Sequence, residues 1–149
     1  MLAAPSFYTT QQRLLGYRTA MTAAGVPVEA ELIQLLADGS VEAAREGMER
    51  LLTLPDPPTA VFTTTSFMTI GALRALAAHD DSTSLVGFDD LAYADLLVRP
   101  VTVVAHDPVD VGREAARQLF RRLDGDTGPA QHLVLPPTLI DRHSVIPLA

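Results

Sequence analysis

The order of segments in this 149-residue chain predicts an α/β fold, a parallel sheet with helices on both faces. Short runs rich in Val, Phe and Thr alternate with longer segments of helical periodicity. The clearest unit, residues 58–90, is predicted as strand, helix and strand. Two carboxylates, Asp89 and Asp90, follow its second strand. Because ligands bind at the carboxyl ends of strands in open parallel sheets, Asp89 is the first candidate for a ligand contact.

The first half of the chain is predicted to hold a strand end, a helix, a strand and a second helix. Residues 1–8 look like the tail of a strand followed by a loop, and Thr9 or Thr10 can cap a helix that runs to Ala24. Residues 32–36 are expected to form a strand. Ser40 is expected to cap the next helix, whose apolar stripe consists of Ala44, Met48, Leu51 and Leu52.

The second half continues the alternation. Thr65 or Ser66 is expected to cap a helix over 67–78, which is apolar nearly all round and therefore predicted to be buried on more than one side. A strand over 85–88 follows, then a short helical piece over 92–97 and a strand over 101–105. A helix over 108–123 and extended segments over 132–135 and 138–140 complete the pattern.

Composition excludes several classes of protein. The chain has no cysteine, so disulfides and thiolate metal sites are absent, and we predict no metal and no cofactor. No apolar run approaches the ~20 residues of a membrane helix, and the start does not resemble a signal peptide, so a cytoplasmic location without membrane contact is expected. The net charge is −7 with no clustered positive face, so the chain alone is not expected to bind DNA. The adjacent pair Arg121-Arg122 is interpreted as a solvated helix end.

Four stretches stand out in a fixed order along the chain: RLLGY at 13–17, PTAVF at 58–62 leading into MTIGALRAL at 68–76, VGFDD at 86–90, and LPPTLIDRHS at 135–144. Together and in register they resemble the sensor domain of lactose-repressor/galactose-repressor (LacI/GalR) family transcriptional regulators. The similarity covers almost the whole chain. One departure is Thr64-Thr65-Ser66, where the family commonly has Ala-Asn-Asp, and another is Gly39, where many members place an aromatic residue.

The resemblance implies a periplasmic-binding-protein-like type I sensor, in which a sugar or related metabolite binds between two lobes. Residues 1–107 would be the C-terminal lobe, residues 108–130 a helix and loop that belong to the N-terminal lobe in intact relatives, and residues 131–149 the return strands. A homodimer is implied. DNA would be bound only through a helix-turn-helix domain, which this sequence does not contain.

The resemblance also implies roles for particular residues. Asp89, Arg13, Thr65 and His106 match effector-binding positions, and Ile70 and Leu97 match positions near the dimer interface. Each has a purely structural alternative. Arg13 could form a surface ion pair, Asp89 could cap the following segment (although Asp90 suits that role better), and His106 could be a solvated strand-end residue. Phe62 and Phe67 are expected in the core.

Two other functions compete with a regulator. An enzyme would need a nucleophile elbow, a phosphate-binding glycine loop or a His-Glu-x-x-His motif, and the sequence has none of them. The pairs around His79, His106 and His143 are interpreted as chance surface neighbours. A periplasmic-type sugar-binding protein shares the implied fold. The missing signal peptide argues against it, and residues 101–149 resemble the regulators more closely. We therefore predict an effector-sensing domain without enzymatic activity.

Overall fold

The structure, a computed structural model, describes residues 1–4 and 7–146. The predicted loop through Pro5 and Ser6 and the end of the predicted return segment, 147–149, lie outside the described residues. The strands are β1 (Leu2–Ala3), β2 (Gln34–Leu35), β3 (Ala60–Thr63), β4 (Ser84–Phe88), β5 (Thr102–Ala105) and β6 (Thr138–Ile140). The helices are α1 (Tyr8–Ala23), α2 (Val41–Leu52), α3 (Ser66–His79) and α4 (Pro108–Leu123).

The six strands form one sheet in the order β2-β1-β3-β4-β5-β6. The first five pair in parallel, as predicted, and the long β3–β4 ladder aligns Val61 with Leu85. The prediction of a parallel sheet is confirmed, and β6 adds one antiparallel strand at the edge beside β5. After α4 the chain returns through the irregular residues 124–137 and enters beside β5 in the opposite direction. An antiparallel edge strand of this kind is common on otherwise parallel sheets.

Helices cover both faces of the sheet, as predicted. The side chain of Leu2 joins the main core with α2 and α3, whereas its neighbour Ala3 joins a smaller cluster with Leu14 of α1 on the other face. This division follows from the alternation of side chains along a strand. The helix α3 is buried on two sides, against the sheet and against α2, which confirms the prediction from its composition.

The contact between α2 and α3 depends on a glycine. A Cβ atom at Gly71 would lie 2.4 Å from the carbonyl oxygen of Val41 and 2.6 Å from the Cβ of Ala44. These distances are far below van der Waals contact, so only glycine allows the two helices to approach this closely. On α2, the predicted stripe residues Ala44, Met48 and Leu51 are fully buried, and Leu52 is half-buried.

Helix caps were predicted with mixed success. Ser40 and Thr65 accept hydrogen bonds from the backbone N–H groups of Ala43 and Met68, as expected. The predicted cap of α1 by Thr9 or Thr10 is wrong, because the helix begins at Tyr8 and Thr10 is buried inside it. A threonine that faces the core cannot turn its hydroxyl back to the helix start.

Three short elements also differ from expectation. Residues 32–36 form a strand only at Gln34–Leu35, after a 3₁₀ turn, and the helical piece over 92–97 is reduced to the 3₁₀ turn Ala94–Leu96. Residues 132–135 are exposed and join no strand, and Pro136 and Pro137, which offer no N–H for a ladder, separate them from β6. Phe67, expected in the core, is 60% exposed, whereas Phe62 is half-buried.

The helix α4 differs from the others in its surroundings. Asp107 caps it through a hydrogen bond from the N–H of Val109, and Pro108 occupies its first turn. None of its residues is buried, and its apolar face is open to solvent. The exposed apolar side chains are Val109, Val111, Leu119, Phe120 and Leu123.

Candidate functional site

The carboxylate of Asp89 lies directly after β4, at the edge of the sheet where the parallel strands end. Its backbone adopts a left-handed conformation with φ of 67°, and its N–H donates to the carbonyl of Val104 at 3.0 Å. This conformation costs an L-residue about 1–2 kcal/mol and is visited mainly by Gly, Asn and Asp. The chain therefore leaves the sheet sharply at Asp89.

Two cationic or potentially cationic groups flank this carboxylate. The Nη1 atom of Arg13 lies 3.6 Å from Oδ2 of Asp89, and Nδ1 of His106 lies 3.7 Å from Oδ1. Both separations are too long for direct hydrogen bonds. Among residues 1–4 and 7–146, no group donates a hydrogen bond to the Asp89 carboxylate. A hydroxyl group could therefore enter between these partners and bond to both.

Arg13 reaches the site from α1 and is held there by two contacts. Its Nη1 donates to the carbonyl of Thr64 at 2.6 Å, and its guanidinium carbon lies 3.6 Å from the centre of the Phe88 ring. Burial lowers the pKa of Arg13, while the Asp89 carboxylate opposes this effect. Arginine nevertheless remains charged, so the site presents a permanent cation beside the Asp89 carboxylate.

Thr65 lies next to this cluster without entering it. Its hydroxyl oxygen accepts from the N–H of Met68 at 3.3 Å and caps α3. The neighbouring Thr64 supplies the carbonyl that Arg13 binds, while its own hydroxyl donates to the carbonyl of Leu2. The structure thus brings Arg13, Asp89 and His106 together and assigns Thr65 a capping contact. An effector contact by Thr65 stays a prediction.

A groove of about 570 Å³ opens beside the cluster. Arg13, Phe88 and His106 line one side of it, and α4 and the return segment line the other. Sequence analysis did not single out the residues of the second side, Val111, Glu114, Ala115, Gln118, Gln131, His132, Leu133, Val134, Leu135 and Pro137. Phe88 was treated as a strand residue, although its place directly before Asp89 was a signal that it lies at the site.

Ile70 and Leu97 meet in a second, largely apolar groove of about 600 Å³. Leu73, Ala77 and Leu91 complete its apolar lining, and Arg74 and Asp90 lie at it as well. The two residues predicted to lie at a dimer interface therefore belong to one continuous surface, although they are 27 positions apart in the chain.

The remaining polar clusters carry no sign of a metal site. Within the two described ranges, no three His, Asp or Glu side chains group closely enough to hold a metal ion. Arg121 and Arg122 bond to the side chain and carbonyl of Asp126, in agreement with a solvated helix end. The described helices include none that is long and apolar enough to cross a membrane.

Comparison with known proteins agrees with this architecture. The sequence pattern of the periplasmic binding protein-like domain matches residues 1–145. The HTH-type transcriptional regulator DegA of Bacillus subtilis (strain 168) is 34% identical over 142 residues, which are 93% of this chain and 42% of DegA. A LacI-family regulatory protein from Chloroflexus aggregans superposes with a TM-score of 0.87 at 31% identity, covering 96% of this chain and 53% of that one. The transcriptional regulator CelR in complex with cellobiose gives a TM-score of 0.84 at 34% identity, covering 96% and 45%.

The fold and the matched pattern together define a periplasmic-binding-protein-like domain of type I. The chain belongs to the LacI/GalR family of transcriptional regulators, which confirms the resemblance predicted from its motifs. Its relatives are regulators and not enzymes, which confirms the prediction of a non-enzyme. The chain spans about two fifths of the length of the curated relatives it matches.

Proposed function

We propose that this chain is the effector-sensing part of a DNA-binding transcriptional regulator and that its effector is a sugar or a related polyhydroxylated metabolite. The observation that carries the proposal is the Asp89 carboxylate, which lies between Arg13 and His106 and accepts no hydrogen bond from the described residues. A carboxylate accepts hydrogen bonds from hydroxyl groups, and a guanidinium donates them. Two neighbouring hydroxyl groups can satisfy both partners at once.

The proposal extends to the organisation of the whole regulator. Residues 1–107 form one lobe, residues 108–130 belong with a second lobe, and residues 131–149 return to the first. In support, α4 has no buried residue, and the apolar side chains of Val109, Leu119, Phe120 and Leu123 are exposed. Effector bound between the lobes favours the closed arrangement to the extent that it binds that arrangement more tightly. A helix-turn-helix domain elsewhere in the regulator reads that change on DNA in the cytoplasm.

Isothermal titration calorimetry on the two-lobed regulator tests the site, with ribose, glucose and cellobiose as probes. Asp89→Ala removes the acceptor of two hydroxyl groups, so we expect at least a roughly hundredfold loss of affinity for the sugar that binds. Asp56→Ala, at an exposed loop position, is the matched control and should leave the affinity unchanged. Unchanged affinity of Asp89→Ala would show that the site is assigned wrongly.

We also propose that the regulator is a homodimer whose subunits meet at the groove of Ile70 and Leu97. An apolar groove of this size on a surface indicates a partner, and a second copy would bury the same groove on both subunits. Ile70→Glu should shift sedimentation equilibrium of the regulator toward the monomer. Val98→Glu, at a fully exposed position that does not line the groove, is the control. A dimer that survives Ile70→Glu unchanged places the interface elsewhere.

A further inference from the structure

Asp90 has the opposite environment from its neighbour Asp89. Its two carboxylate oxygens accept from Nη1 and Nη2 of Arg142 at 2.9 and 2.8 Å, and one of them also accepts from the N–H of Leu91 at 2.8 Å. The hydrogen bond from Arg142 is the main cause that lowers the pKa of Asp90. One carboxylate of the pair is thus fully engaged, while the other is left open toward the site.

Arg142 is itself anchored to the sheet. Its Nη1 also donates to the carbonyl of Val101 at 3.1 Å, and its backbone N–H donates to Oγ1 of Thr102 at 3.0 Å. Its side chain is only 22% exposed. Two residues further, the hydroxyl of Ser144 donates to the carbonyl of Leu85 and accepts from the N–H of Thr102. The fork of Arg142 therefore projects from a tail that is tied to both β4 and β5.

The link from Arg142 to the site runs through the backbone. The left-handed backbone of Asp89 is strained and is held from three sides. The strand β4 precedes it, its own N–H donates to the carbonyl of Val104, and Asp90 follows it. The segment beyond Asp90 bonds mainly to itself: the N–H of Ala94 donates to the carbonyl of Leu91, and within residues 91–96 only Ala94 is buried. Asp90 therefore makes the nearest side-chain bond that ties the chain after Asp89 to the sheet. A strained residue persists only where its surroundings fix it on both sides.

We propose that Arg142 is a positioning residue for the site: its bidentate ion pair with Asp90 fixes the chain after Asp89 and so holds the Asp89 carboxylate between Arg13 and His106. Arg142 does not touch that carboxylate. Without the pair, the backbone at Asp89 can relax to an ordinary conformation, which turns the carboxylate away from both partners. The consequence for effector affinity rests on the proposed function, whereas the geometric effect does not.

Amide hydrogen exchange measured by NMR on the 149-residue chain tests the geometric effect without any effector. In Arg142→Gln, the N–H of Asp89 should exchange about tenfold faster, because its bond to Val104 opens more often. Amides in the middle of α3 should change by less than about twofold. Arg142→Lys keeps the charge without the fork, so an intermediate acceleration is expected there. Arg113→Gln breaks an exposed ion pair with Asp110 on α4, neither residue lines the groove beside Asp89, and the variant serves as the control.

Each outcome decides the proposal. Acceleration confined to residues 89–91 supports it. Equal acceleration throughout the chain shows that Arg142 only stabilises the fold, and no acceleration at Asp89 shows that the pair does not hold it; either result overturns the proposal. In the two-lobed regulator, calorimetry with the sugar that binds should give a weaker affinity for Arg142→Gln than for Arg113→Gln. If exchange at Asp89 responds but none of the probes binds the unmodified regulator, positioning stands and the proposed effector class falls.

Discussion

The helices α3 and α4 have similar lengths, 14 and 16 residues, and opposite surroundings. Six residues of α3 are buried between α2 and the sheet, and none of α4 is. Their sequences already differ in the same sense. The charged side chains of α3 are confined to Arg74 and the terminal His79, whereas α4 carries Asp, Glu and four arginines opposite an apolar stripe.

The difference shows what each helix needs for its stability. The partner of α3 lies within the chain, and the close approach at Gly71 fixes the distance between them. An amphipathic helix such as α4 gains most of its stability from packing its apolar face, and the described residues supply no such partner. The described part of the chain therefore contains a well-packed core around α3 and a helix, α4, whose apolar face has no packing partner.

Replacing one glycine by alanine in each helix tests the difference between them, and the substitution in α3 should change the stability most. Gly71→Ala puts a methyl group 2.4 Å from a backbone oxygen of α2, so the helices must separate. We expect a loss of about 3 kcal/mol in the free energy of unfolding by urea, at the upper end of typical overpacking effects. The helix propensity gained by alanine offsets only about 1 kcal/mol of the clash.

Gly112→Ala is the matched control in α4. No atom lies within 4 Å of the added methyl group, so only the helix propensity changes. We expect α4 to be stabilised by about 0.5–1 kcal/mol, seen as slower amide exchange within it and no loss of the urea midpoint. A loss as large as that of Gly71→Ala would show that α4 packs against something in solution, and the comparison between the two helices would fail.

Much of the sheet and of the helices packed on it could be predicted from the sequence. Alternation of short β-rich runs and helical periodicity gave the sheet, and hydroxyl residues at helix starts gave the caps by Ser40 and Thr65. The cap of α1 failed because a threonine suits a cap and a buried contact equally well. The antiparallel direction of β6 was not part of the prediction, since it depends on how the chain returns after α4 and not on local pattern.

The site was predictable in part. The position of Asp89 after a strand, together with the family motifs, identified Asp89, Arg13 and His106, which the structure brings together. The ring of Phe88 beneath Arg13 was missed, because an apolar residue that ends a strand is usually a core residue. The partner of Asp90 was missed as well. Arg142 lies 52 positions away, and no local spacing connects an ion pair over that distance.

The pH dependence of the free energy of unfolding should show a smaller effect, which arises from the core and not from α4. In a chain with a free amino group at Met1, that group is buried beside β2 and donates to the carbonyl of Leu32 at 2.5 Å. Burial lowers its pKa from 8.0 to about 6. Between these values the unfolded chain binds more protons than the folded chain, so the free energy of unfolding rises with pH across this window and is lowest below pH 6.

The expected rise from pH 6 to pH 8 is about 2 kcal/mol, measured as the change in urea unfolding free energy. Acetylation of the amino group removes the titration while every histidine remains, so the acetylated chain isolates this contribution. The carboxyl groups of Glu114 on α4 and Asp126 after it do not interfere, because local hydrogen bonds lower their pKa values, which places their titration well below the window. Equal slopes for the free and acetylated chains would show that Met1 is not buried in solution. The smaller core cluster of Met1, Ala3 and Leu14 would then be open to solvent at its Met1 end, in contrast with the side of the sheet that α2 and α3 cover.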